Sequence, residues 1–400
     1  MGVVRDKRIL LGITGSIAAF KAADLASQLT QMGGRVDTIF TPAAEKFIRP
    51  LTLQSVTGRR AYSEADLWGG EAHILHVGLA QEAALFVIAP CTANTIAKLA
   101  HGLADNLLTI TALAARCPLL IAPAMDGGML EHASTQENLQ TLTRRGATIA
   151  GPAEGRLASG LSGKGRLLEP EEILGHIRLL LGRGGKLAGK KVVITAGGTQ
   201  EPLDPVRVLT NRSSGKQGYA LAQSAVDAGA TVTLISAPTA LTPPVGACVV
   251  EVETAREMRD AALRESAEAD ALIMAAAVAD FRPHRAADTK MKTRDGVPQI
   301  ELEATDDILK TVVESGRPRI VIGFAAETNE LIKNATQKLH AKKLDLIVAN
   351  DVSSKDSGFS TDNNRVTLID AAGKAEALPL ASKAEVADRI VERLAGMLES

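Results

Sequence analysis

The amino-acid sequence predicts an α/β protein with two doubly wound, Rossmann-like domains, each built on a mainly parallel sheet. Short runs of β-branched residues or leucine alternate with longer alanine-rich segments of helical period, a pattern typical of βαβ units. The pattern starts twice, and each start is a strand that runs into a glycine turn, at Gly12–Gly15 and at Gly197–Gly198. The length of 400 residues agrees with this, at about 150 residues per domain.

The first half is predicted to contain strands that alternate with helices, as a parallel sheet with crossover connections requires. The strands are expected at Arg8–Thr14, Arg35–Phe40, Leu85–Ala89 and Leu119–Ala122. The helices are expected at Ala18–Gln31, Asn94–Leu99 and Ala104–Ala114.

The second half repeats the alternation after a glycine-dense polar segment. We therefore expect a first domain at 1–181, a linker at 182–190 and a second domain at 191–400. Its strands are expected at Lys191–Ala196, Thr231–Ile235, Ala271–Ala275, Ile320–Phe324 and Leu344–Ala349. Its helices are expected to start near Lys216, Thr254, Asp307, Glu330 and Ser382.

The composition argues against several classes of protein. Hydrophobic residues make up 46% of the chain and charged residues 23%, as in folded globular proteins. The net charge is -1, so no overall field attracts nucleic acid or an anionic membrane. Aromatic residues are only 2%, which leaves little material for base stacking. We therefore expect neither a nucleic-acid nor a membrane partner.

The cysteines are three in number and far apart, at Cys91, Cys117 and Cys248. An odd number at such spacing suggests neither a disulfide framework nor a paired zinc site. The apolar run near the N-terminus is too short for a signal peptide. These features predict a protein of the reducing cytoplasm.

The first half carries its candidate ligand groups where predicted strands end, the edge at which open α/β sheets bind ligands. The turn Gly12–Ile17 opens a helix and suits a phosphate, although a tight turn without a ligand explains it equally well. It lacks the G-x-G-x-x-G spacing of a dinucleotide site, so NAD is not favoured. His76 precedes a strand and would serve as a general base near a pocket, but a lone histidine is more often structural.

Four motifs in order resemble the flavin-dependent cysteine decarboxylases: GSIAAFK at 15–21, HVGL at 76–79, PCTANT at 90–95 and PAMDGGM at 123–129. The resemblance implies a flavodoxin-like flavoprotein half that holds FMN. It also implies that His76 is the catalytic base. The positions that match the FMN-contacting residues are Gly15, Ser16, Ile17, Thr41 and Thr109.

The second half also places small and polar residues after its strands. NRSSGKQG at 211–218 opens a helix with glycines and hydrogen-bond donors, which suits an anion, while a second dinucleotide fold is the rival interpretation. Lys338 and Lys342 are four residues apart, so they share one helix face and could meet one polyphosphate. An exposed basic stripe is the alternative for these two lysines.

This half resembles the bacterial phosphopantothenate–cysteine ligases, through AGGTQEPLDPVR at 196–207, NRSSGKQG, AAVAD at 276–280, GFAAET at 323–328 and AND at 349–351. Fused to the first half, it resembles the bifunctional enzymes of coenzyme A biosynthesis. The resemblance implies a CTP-dependent C–N ligase, with Mg²⁺ carried by the triphosphate. Asn211 and Lys290 match catalytic positions. The matching nucleotide-contact positions are Ala275, Ala276, Asp280, Lys290, Asp306, Asp307, Ile308, Phe324, Lys338 and Lys342.

In such enzymes the ligase half joins cysteine to 4'-phosphopantothenate through an acyl-cytidylate, and the FMN half decarboxylates the product to 4'-phosphopantetheine. The resemblance therefore implies a combined carboxy-lyase and ligase. It also implies homo-oligomeric assembly, with small molecules as the other partners.

Three positions depart from the family pattern. Asp126 stands where the family has an asparagine that holds the substrate carboxylate, so we expect repulsion between two carboxylates. Ser159 stands where a mobile segment of the family carries a cysteine acid, and a hydroxyl is a much weaker acid. Cys91 could supply the missing thiol, or it could be a buried packing residue. Thr293, after Lys290-Met-Lys292, stands where the family often has another lysine, so we expect a modest loss.

The sequence leaves two other functions open. The first half could be a flavin-binding scaffold or regulatory module beside an active ligase, because Asp126 and Ser159 alter its chemistry. A two-domain NAD(P) oxidoreductase would require a dinucleotide fingerprint that neither glycine turn provides.

Overall fold

The computed structural model describes residues 2–68, 74–292, 298–316, 318–327, 330–351 and 361–399. The chain divides into two compact units, Gly2–Gly182 and Arg183–Ser400. Residues 183–190, predicted as a linker, pack onto the second unit. Leu187 is fully buried there and its N–H donates to the carbonyl of Ala228 at 2.8 Å. Thr293, a predicted departure from the family pattern, lies outside the described residues.

The first unit alternates strands and helices. Its strands are β1 (Arg8–Ile13), β2 (Arg35–Phe40), β3 (Ala61–Tyr62), β4 (Leu85–Cys91), β5 (Leu119–Pro123), β6 (Thr148–Ile149), β7 (Ala153–Arg156) and β8 (Ser162–Arg166). Its helices are α1 (Lys21–Gln31), α2 (Pro50–Thr57), α3 (Leu75–Glu82), α4 (Ala93–His101), α5 (Leu107–Ala114), α6 (Gly127–Glu131), α7 (Ala133–Arg144) and α8 (Pro170–Gly182).

Six parallel strands of this unit form a sheet in the order β3-β2-β1-β4-β5-β6. The central strands are apolar along their whole length because helices cover both faces, as in β4, where every residue is buried. The strand order reverses between β1 and β4, which is the point where open sheets of this kind form a ligand crevice. The remaining strands, β7 and β8, form an antiparallel hairpin.

The second unit begins with a new strand. Its strands are β9 (Lys191–Ala196), β10 (Gln200–Asp204), β11 (Arg207–Thr210), β12 (Thr231–Ser236), β13 (Ala247–Glu251), β14 (Ala271–Met274), β15 (Phe281–Pro283), β16 (Leu302–Ala304), β17 (Ile320–Glu327), β18 (Leu346–Asp351), β19 (Asn363–Asn364), β20 (Val366–Asp370), β21 (Ala375–Ala377) and β22 (Ala381–Ser382). Its helices are α9 (Lys216–Asp227), α10 (Ala255–Ser266), α11 (Ile308–Glu314), α12 (Leu331–Ala341) and α13 (Lys383–Glu399).

Eight strands of the second unit form one sheet in the order β13-β12-β9-β14-β17-β18-β20-β21. The pairs from β13 to β18 are parallel, whereas β20 and β21 add antiparallel at one edge. The order again reverses beside β9, so the loops after β9 and β14 are expected to line a crevice. The predicted α/β fold with two doubly wound domains is thereby confirmed.

Several predicted boundaries shift for local reasons. Residues 17–20 form a short 3-10 helix before α1, capped by the Ser16 side chain. Helix α5 begins at Leu107 rather than at Ala104, because Asn106 caps it with a reciprocal hydrogen bond to Thr109. The predicted loop after β9 contains the antiparallel pair β10 and β11.

Candidate active sites

The candidate ligand edge of the first unit includes the turn after β1 and the loop after β4. Thr14 joins the two, since its N–H and its hydroxyl both donate to the carbonyl of Pro90, at 3.3 and 2.7 Å. The same hydroxyl accepts the N–H of Thr92 at 3.0 Å. The first turn and the PCTANT loop therefore have fixed positions relative to each other.

The predicted FMN residues Gly15, Ser16, Ile17 and Thr41 lie at this edge of the sheet. A Cβ on Gly15 would be 2.5 Å from the Cβ of Ala43, so only glycine lets the loop after β2 approach the turn so closely. Thr41 is buried and its N–H donates to the carbonyl of Ile13 at 3.1 Å. Ile17, in contrast, is 59% exposed. The turn thus combines fixed backbone with an accessible apolar side chain.

The predicted base His76 and the remaining predicted FMN residue, Thr109, lie on helices that pack on each other. His76 is half-buried on α3, and Thr109 is buried on α5. The Thr109 hydroxyl donates to the carbonyl of Asn106 at 3.2 Å within the helix cap. Across the described residues, neither side chain hydrogen-bonds to the Gly15 turn. The assignment of these two residues to the flavin site stays a prediction.

Asp126 and Ser159 lie together. Asp126 caps α6, where its Oδ1 accepts the N–H of Gly128 at 3.1 Å, and its Oδ2 accepts the Ser159 hydroxyl at 2.8 Å. The β7–β8 hairpin that carries Ser159 is held close by a hydrogen bond from the Met125 N–H to the Gly165 carbonyl at 3.0 Å. The two departures from the family pattern are therefore in direct contact.

Cys91 ends β4 and is fully buried. Burial raises the pKa of the Cys91 thiol well above its ordinary value. A buried thiol of this kind is a poor proton donor to substrate. The structure therefore favours the packing interpretation of Cys91 over its role as a substitute acid.

The second unit contains a cavity of about 470 Å³ at the carboxyl edge of its sheet. All the predicted ligase residues except Lys290 line it. They come from five separate segments of the chain, which the topology brings to one edge: Asn211, Ala275, Ala276, Asp280, Asp306, Asp307, Ile308, Phe324, Lys338 and Lys342.

The basic side chains of this cavity have fixed partners. Lys342 Nζ lies 2.9 Å from Asp307 Oδ2, and Lys338 Nζ donates to the Phe324 carbonyl at 2.9 Å. Burial acts to raise the pKa of Asp307, but Lys342, the N–H of Lys310 and the charge of Lys338 together hold it below its usual range. Asp307 therefore stays ionised, and it keeps the end of α12 beside the start of α11.

The AAVAD segment is held by two threonine hydroxyl groups, one in β9 and one just before β10. The N–H of Ala276 donates to Thr195 Oγ1 at 3.1 Å, and the N–H of Ala279 donates to Thr199 Oγ1 at 2.9 Å. The Asn211 amide reaches the same segment by donating to the Val278 carbonyl at 2.9 Å. Asn211 is therefore positioned at the wall of the cavity.

Lys290 is exposed and does not line the cavity. The next residue is anchored, because the N–H of Met291 donates to Asp204 Oδ2 at 3.1 Å and its carbonyl accepts Arg207 Nη1 at 3.0 Å. Burial acts to raise the pKa of Asp204, but the N–H groups of Val206, Met291 and Arg207 and the Arg207 guanidinium hold it below its usual range. Asp204 and Arg207 of the D-x-V-R motif therefore connect the Lys290 loop to the β10–β11 pair through hydrogen bonds to Met291.

Three buried polar residues of the cavity were not among the predicted site residues. Lys383, Asn350 and Asn364 line its wall and are 6%, 8% and 2% exposed. Asn364 and Lys383 come together through a two-residue strand pair, β19 with β22, which is too short to leave a sequence pattern. Asn350 belongs to the AND motif at 349–351, and this motif was the sequence signal that could have identified Asn350 as a cavity residue.

Other kinds of site find no support in the described part of the chain. No group of three or more His, Cys, Asp and Glu residues there is arranged to hold a metal ion. No helix there combines the length and the apolar character needed to cross a membrane.

Comparisons with known proteins agree with the two-unit organisation. A family model described as Flavoprotein matches residues 3–182, and one described as DNA/pantothenate metabolism flavoprotein C-terminal domain matches residues 187–397. The chain is 44% identical over 398 residues to the coenzyme A biosynthesis bifunctional protein CoaBC of Bacillus subtilis (strain 168), covering 99% of this chain and 98% of that protein.

The protein of the same name from Mycobacterium tuberculosis (strain ATCC 25618 / H37Rv) is 44% identical over 408 residues, which cover 98% of this chain and 97% of that protein. A crystal structure of the C-terminal domain of a protein so named is 44% identical, with a TM-score of 0.47. The match covers 54% of this chain and 98% of that domain.

Proposed function

The chain belongs to the family of coenzyme A biosynthesis bifunctional proteins, and from that membership we propose how its two units divide the work. It is a bifunctional enzyme, a phosphopantothenoylcysteine decarboxylase and a phosphopantothenate–cysteine ligase. We assign ligation to the second unit and decarboxylation to the first.

In the ligase reaction, a carboxylate oxygen of 4'-phosphopantothenate attacks the α-phosphorus of CTP, and pyrophosphate leaves. The amine of cysteine then attacks the acyl carbon of the acyl-cytidylate, and CMP leaves. Both steps need positive charge on the phosphates and donors at the acyl group. Lys338 and Lys342 supply the charge, while Asn211 supplies an amide at the cavity wall.

The observation that carries the ligase assignment is the cavity itself. Segments after β11, β14 and β16, residues of β17 and the C-terminal half of α12 with Lys342 converge on it, and a volume of about 470 Å³ suits a nucleotide-sized ligand. Mg²⁺ would enter with the triphosphate, because Mg²⁺ is commonly held by one or two carboxylates and substrate phosphates. Three exposed carboxylates line the cavity, and two of them have basic partners: Asp306 pairs with Arg259 and Asp307 with Lys342. Asp280 is therefore the carboxylate that we assign to such an ion.

In the first unit, the residues present fit FMN. Ser16 caps the 3-10 helix at Ile17–Phe20, where its Oγ accepts the Ala18 N–H at 3.2 Å, and the hydroxyl proton can donate to a phosphate. The exposed Ile17 offers apolar surface to a ring. Gly15 and Thr41 shape the same edge, whereas the Thr109 hydroxyl serves a helix cap. When bound, FMN supplies a two-electron oxidation of the cysteinyl group and later returns the electrons.

The side chains of the first unit transfer the protons and face the substrate carboxylate. His76 takes the proton from the cysteinyl group at an imidazole nitrogen, which is ordinary general-base work. Asp126 occupies the position that faces the substrate carboxylate, and Ser159 occupies the position of the acid. With a hydroxyl in that role, return of a proton to the enethiol is expected to be slow.

A second candidate function is favoured by the contact between Ser159 and Asp126. In that case the ligase is active, while the first unit binds flavin as a scaffold or regulatory module. CO₂ release separates the two candidates, since only an active decarboxylase produces it.

The test of the proposed function is product analysis with the full-length chain. The reaction contains 4'-phosphopantothenate, cysteine, CTP and Mg²⁺, with and without FMN. We expect CMP, pyrophosphate and 4'-phosphopantothenoylcysteine in both cases, and CO₂ only with FMN. Absence of ligated product with CTP would overturn the ligase assignment. The proposal includes homo-oligomeric assembly and a cytoplasmic location, which size-exclusion chromatography and cell fractionation would test.

A further inference from the structure

A fully buried threonine lies directly behind the ligase cavity. Thr199 stands between β9 and β10, and the described residues that line the cavity do not include it. Its backbone and its hydroxyl both contact the segment 275–280, which forms part of the cavity wall. Any effect of Thr199 on a bound ligand must therefore pass through the residues that it holds.

Backbone pairing extends from the sheet into the first part of this segment. The N–H of Ala277 donates to the carbonyl of Gly197 at 2.8 Å, and the N–H of Thr199 donates to the carbonyl of Ala277 at 3.3 Å. Gly198 forms an isolated parallel bridge with Ala277. The loops after β9 and β14 therefore stay side by side beyond the carboxyl edge of the sheet, as far as Ala277.

Beyond Ala277, threonine side chains hold the segment. Thr199 Oγ1 accepts the N–H of Ala279 at 2.9 Å. Thr305 Oγ1 donates to the carbonyl of Ala279 at 2.6 Å, and the Thr305 N–H donates to the carbonyl of Asp280 at 3.0 Å. Ala279 is buried, so both of its backbone polar groups need partners within the protein. The two threonines therefore hold the backbone that places the exposed Asp280 at the cavity.

The backbone carbonyl of Thr199 supports another residue of the cavity. It accepts Thr210 Oγ1 at 2.8 Å, and the next residue along the chain is Asn211. The Asn211 amide donates in turn to the carbonyl of Val278 at 2.9 Å. The hydroxyl and the carbonyl of Thr199 thus support different residues at the cavity, Asp280 through the hydroxyl and Asn211 through the carbonyl.

We propose that Thr199 is a positioning residue of the ligase reaction, because its hydroxyl holds the Ala279 backbone and so keeps Asp280 in place for nucleotide binding. The proposal rests on the proposed function, which places Asp280 among the nucleotide contacts and assigns Mg²⁺ to it. Without the hydroxyl oxygen, the buried N–H of Ala279 loses its acceptor, and an unpaired buried donor is costly. The segment is then expected to move until this N–H finds another partner, which displaces Asp280.

The test is Thr199→Val in the full-length chain, which removes the hydroxyl and keeps a β-branched side chain. Titration calorimetry measures the dissociation constant for CTP with Mg²⁺, and steady-state kinetics measure the KM values for CTP and cysteine. We expect both CTP constants to rise about fivefold or more, as for a buried donor left without its acceptor. The KM for cysteine should stay within about twofold of the parent value, because the Thr199 carbonyl still accepts Thr210 Oγ1 beside Asn211.

Thr199→Ser keeps an oxygen acceptor and is expected to hold both CTP constants within about twofold of the parent values. Ser224→Ala is the control for a purely structural loss. The buried Ser224 hydroxyl donates to Asp388 Oδ1 at 2.9 Å and joins α9 to α13, and the described residues lining the cavity include neither Ser224 nor Asp388. Ser224→Ala is expected to lower the melting temperature and to leave both CTP constants unchanged.

Thermal melting first establishes which variants are folded. If Thr199→Val is not folded, Thr199→Cys replaces it, since sulfur is a weak acceptor, and it should also raise both CTP constants. Unchanged CTP constants in the folded variant would overturn the proposal. An equal rise in the KM for cysteine that Thr199→Ser does not reverse would also overturn it.

The proposed function and the role of Thr199 can fail separately. If the parent makes no ligated product, the proposed function fails, and the CTP dissociation constants of the parent and the variants then decide the role of Thr199. A parent that binds no CTP would overturn both.

Discussion

The Ser159 hydroxyl donates a 2.8 Å hydrogen bond to Asp126 Oδ2, and this bond joins the β7–β8 hairpin to the start of α6. An ionised Asp126 accepts hydrogen bonds and donates none. An asparagine at this position would instead offer an N–H₂ group to a substrate carboxylate. The hydrogen bond therefore connects the β7–β8 hairpin to a residue whose negative charge disfavours carboxylate binding.

We predict that Asp126→Asn strengthens substrate binding in the decarboxylase. Two carboxylates about 4 Å apart repel by about 1 kcal/mol in water and about 4 kcal/mol at an effective dielectric constant of 20. The KM for 4'-phosphopantothenoylcysteine should therefore fall by at least about fivefold, since 1.4 kcal/mol corresponds to about tenfold. Steady-state CO₂ release measures it.

The control for this substitution is Asp24→Asn, which removes an exposed carboxylate of α1. That variant should keep the parent KM. An unchanged KM and turnover in Asp126→Asn would place Asp126 outside the substrate site.

We predict that Ser159→Cys accelerates formation of 4'-phosphopantetheine. A thiol with a pKa of about 8.5 is a far better proton donor than a hydroxyl, so return of a proton to the enethiol should speed up. The rate of reduced product should rise by about tenfold or more, within the range for general acid catalysis. Mass spectrometry of the product separates the enethiol from 4'-phosphopantetheine.

Ser162→Cys places a thiol at an exposed position of the same hairpin and serves as the control. It should leave the product ratio of the parent unchanged. Equal rates of reduced product in Ser159→Cys and the parent would argue that another group is the acid.

We predict that His76→Gln abolishes most CO₂ release while ligation continues. Loss of a general base typically costs about 10²- to 10⁴-fold in rate. Ligation should persist because Asn211, Lys338 and Lys342 belong to the other compact unit. His101→Gln, an exposed histidine at the end of α4, is the control. Parallel loss of both activities in His76→Gln would indicate misfolding rather than a catalytic role.

The main strands and helices were predictable because the sequence patterns that specify them are local. Apolar runs and glycine turns predicted the strands that form the centre of both sheets, and capping residues such as Thr254 and Asp307 marked where helices begin. The hairpins were not predictable in this way. Pairs such as β7 with β8 are short and partly exposed, so they carry no apolar alternation.

The candidate sites were predictable only in part. Motif resemblance identified residues such as Asn211 and Lys338, which the sheet topology then brings to one cavity. Lys383 and Asn364 were not identified, because their positions depend on a long-range pairing and on packing between two helices. Burial of Cys91 likewise becomes visible only in three dimensions.

A buried carboxylate supports the loop that carries Lys290. Asp204 accepts the N–H groups of Val206 and Arg207 at 2.8 Å each, the N–H of Met291 at 3.1 Å, and Arg207 Nη1 at 2.7 Å. These donors outweigh burial and hold the pKa of Asp204 below its usual value. We predict that Asp204→Asn lowers the melting temperature of the second unit at neutral pH and raises the KM for CTP.

The stabilisation that Asp204 provides should decrease as the pH falls. Because the pKa of Asp204 is lower in the folded chain than in the unfolded chain, the unfolded chain binds more protons as the pH falls. The stabilisation is therefore complete above the ordinary carboxyl range, near a pKa of about 3.9, and is lost as the pH falls through the lower folded pKa. The difference in melting temperature between parent and Asp204→Asn should be largest at pH 7 and shrink below about pH 4.

Asp288→Asn removes an exposed carboxylate two residues before Lys290 and is the matched comparison. Its melting temperature should follow that of the parent at every pH, because substitutions of exposed surface side chains usually change stability little. A difference between Asp204→Asn and the parent that stays constant from pH 7 to pH 3 would contradict the charge-based account. In that case the loss would come from packing of the side chain, and the ionised form of Asp204 would have no special role in holding the Lys290 loop.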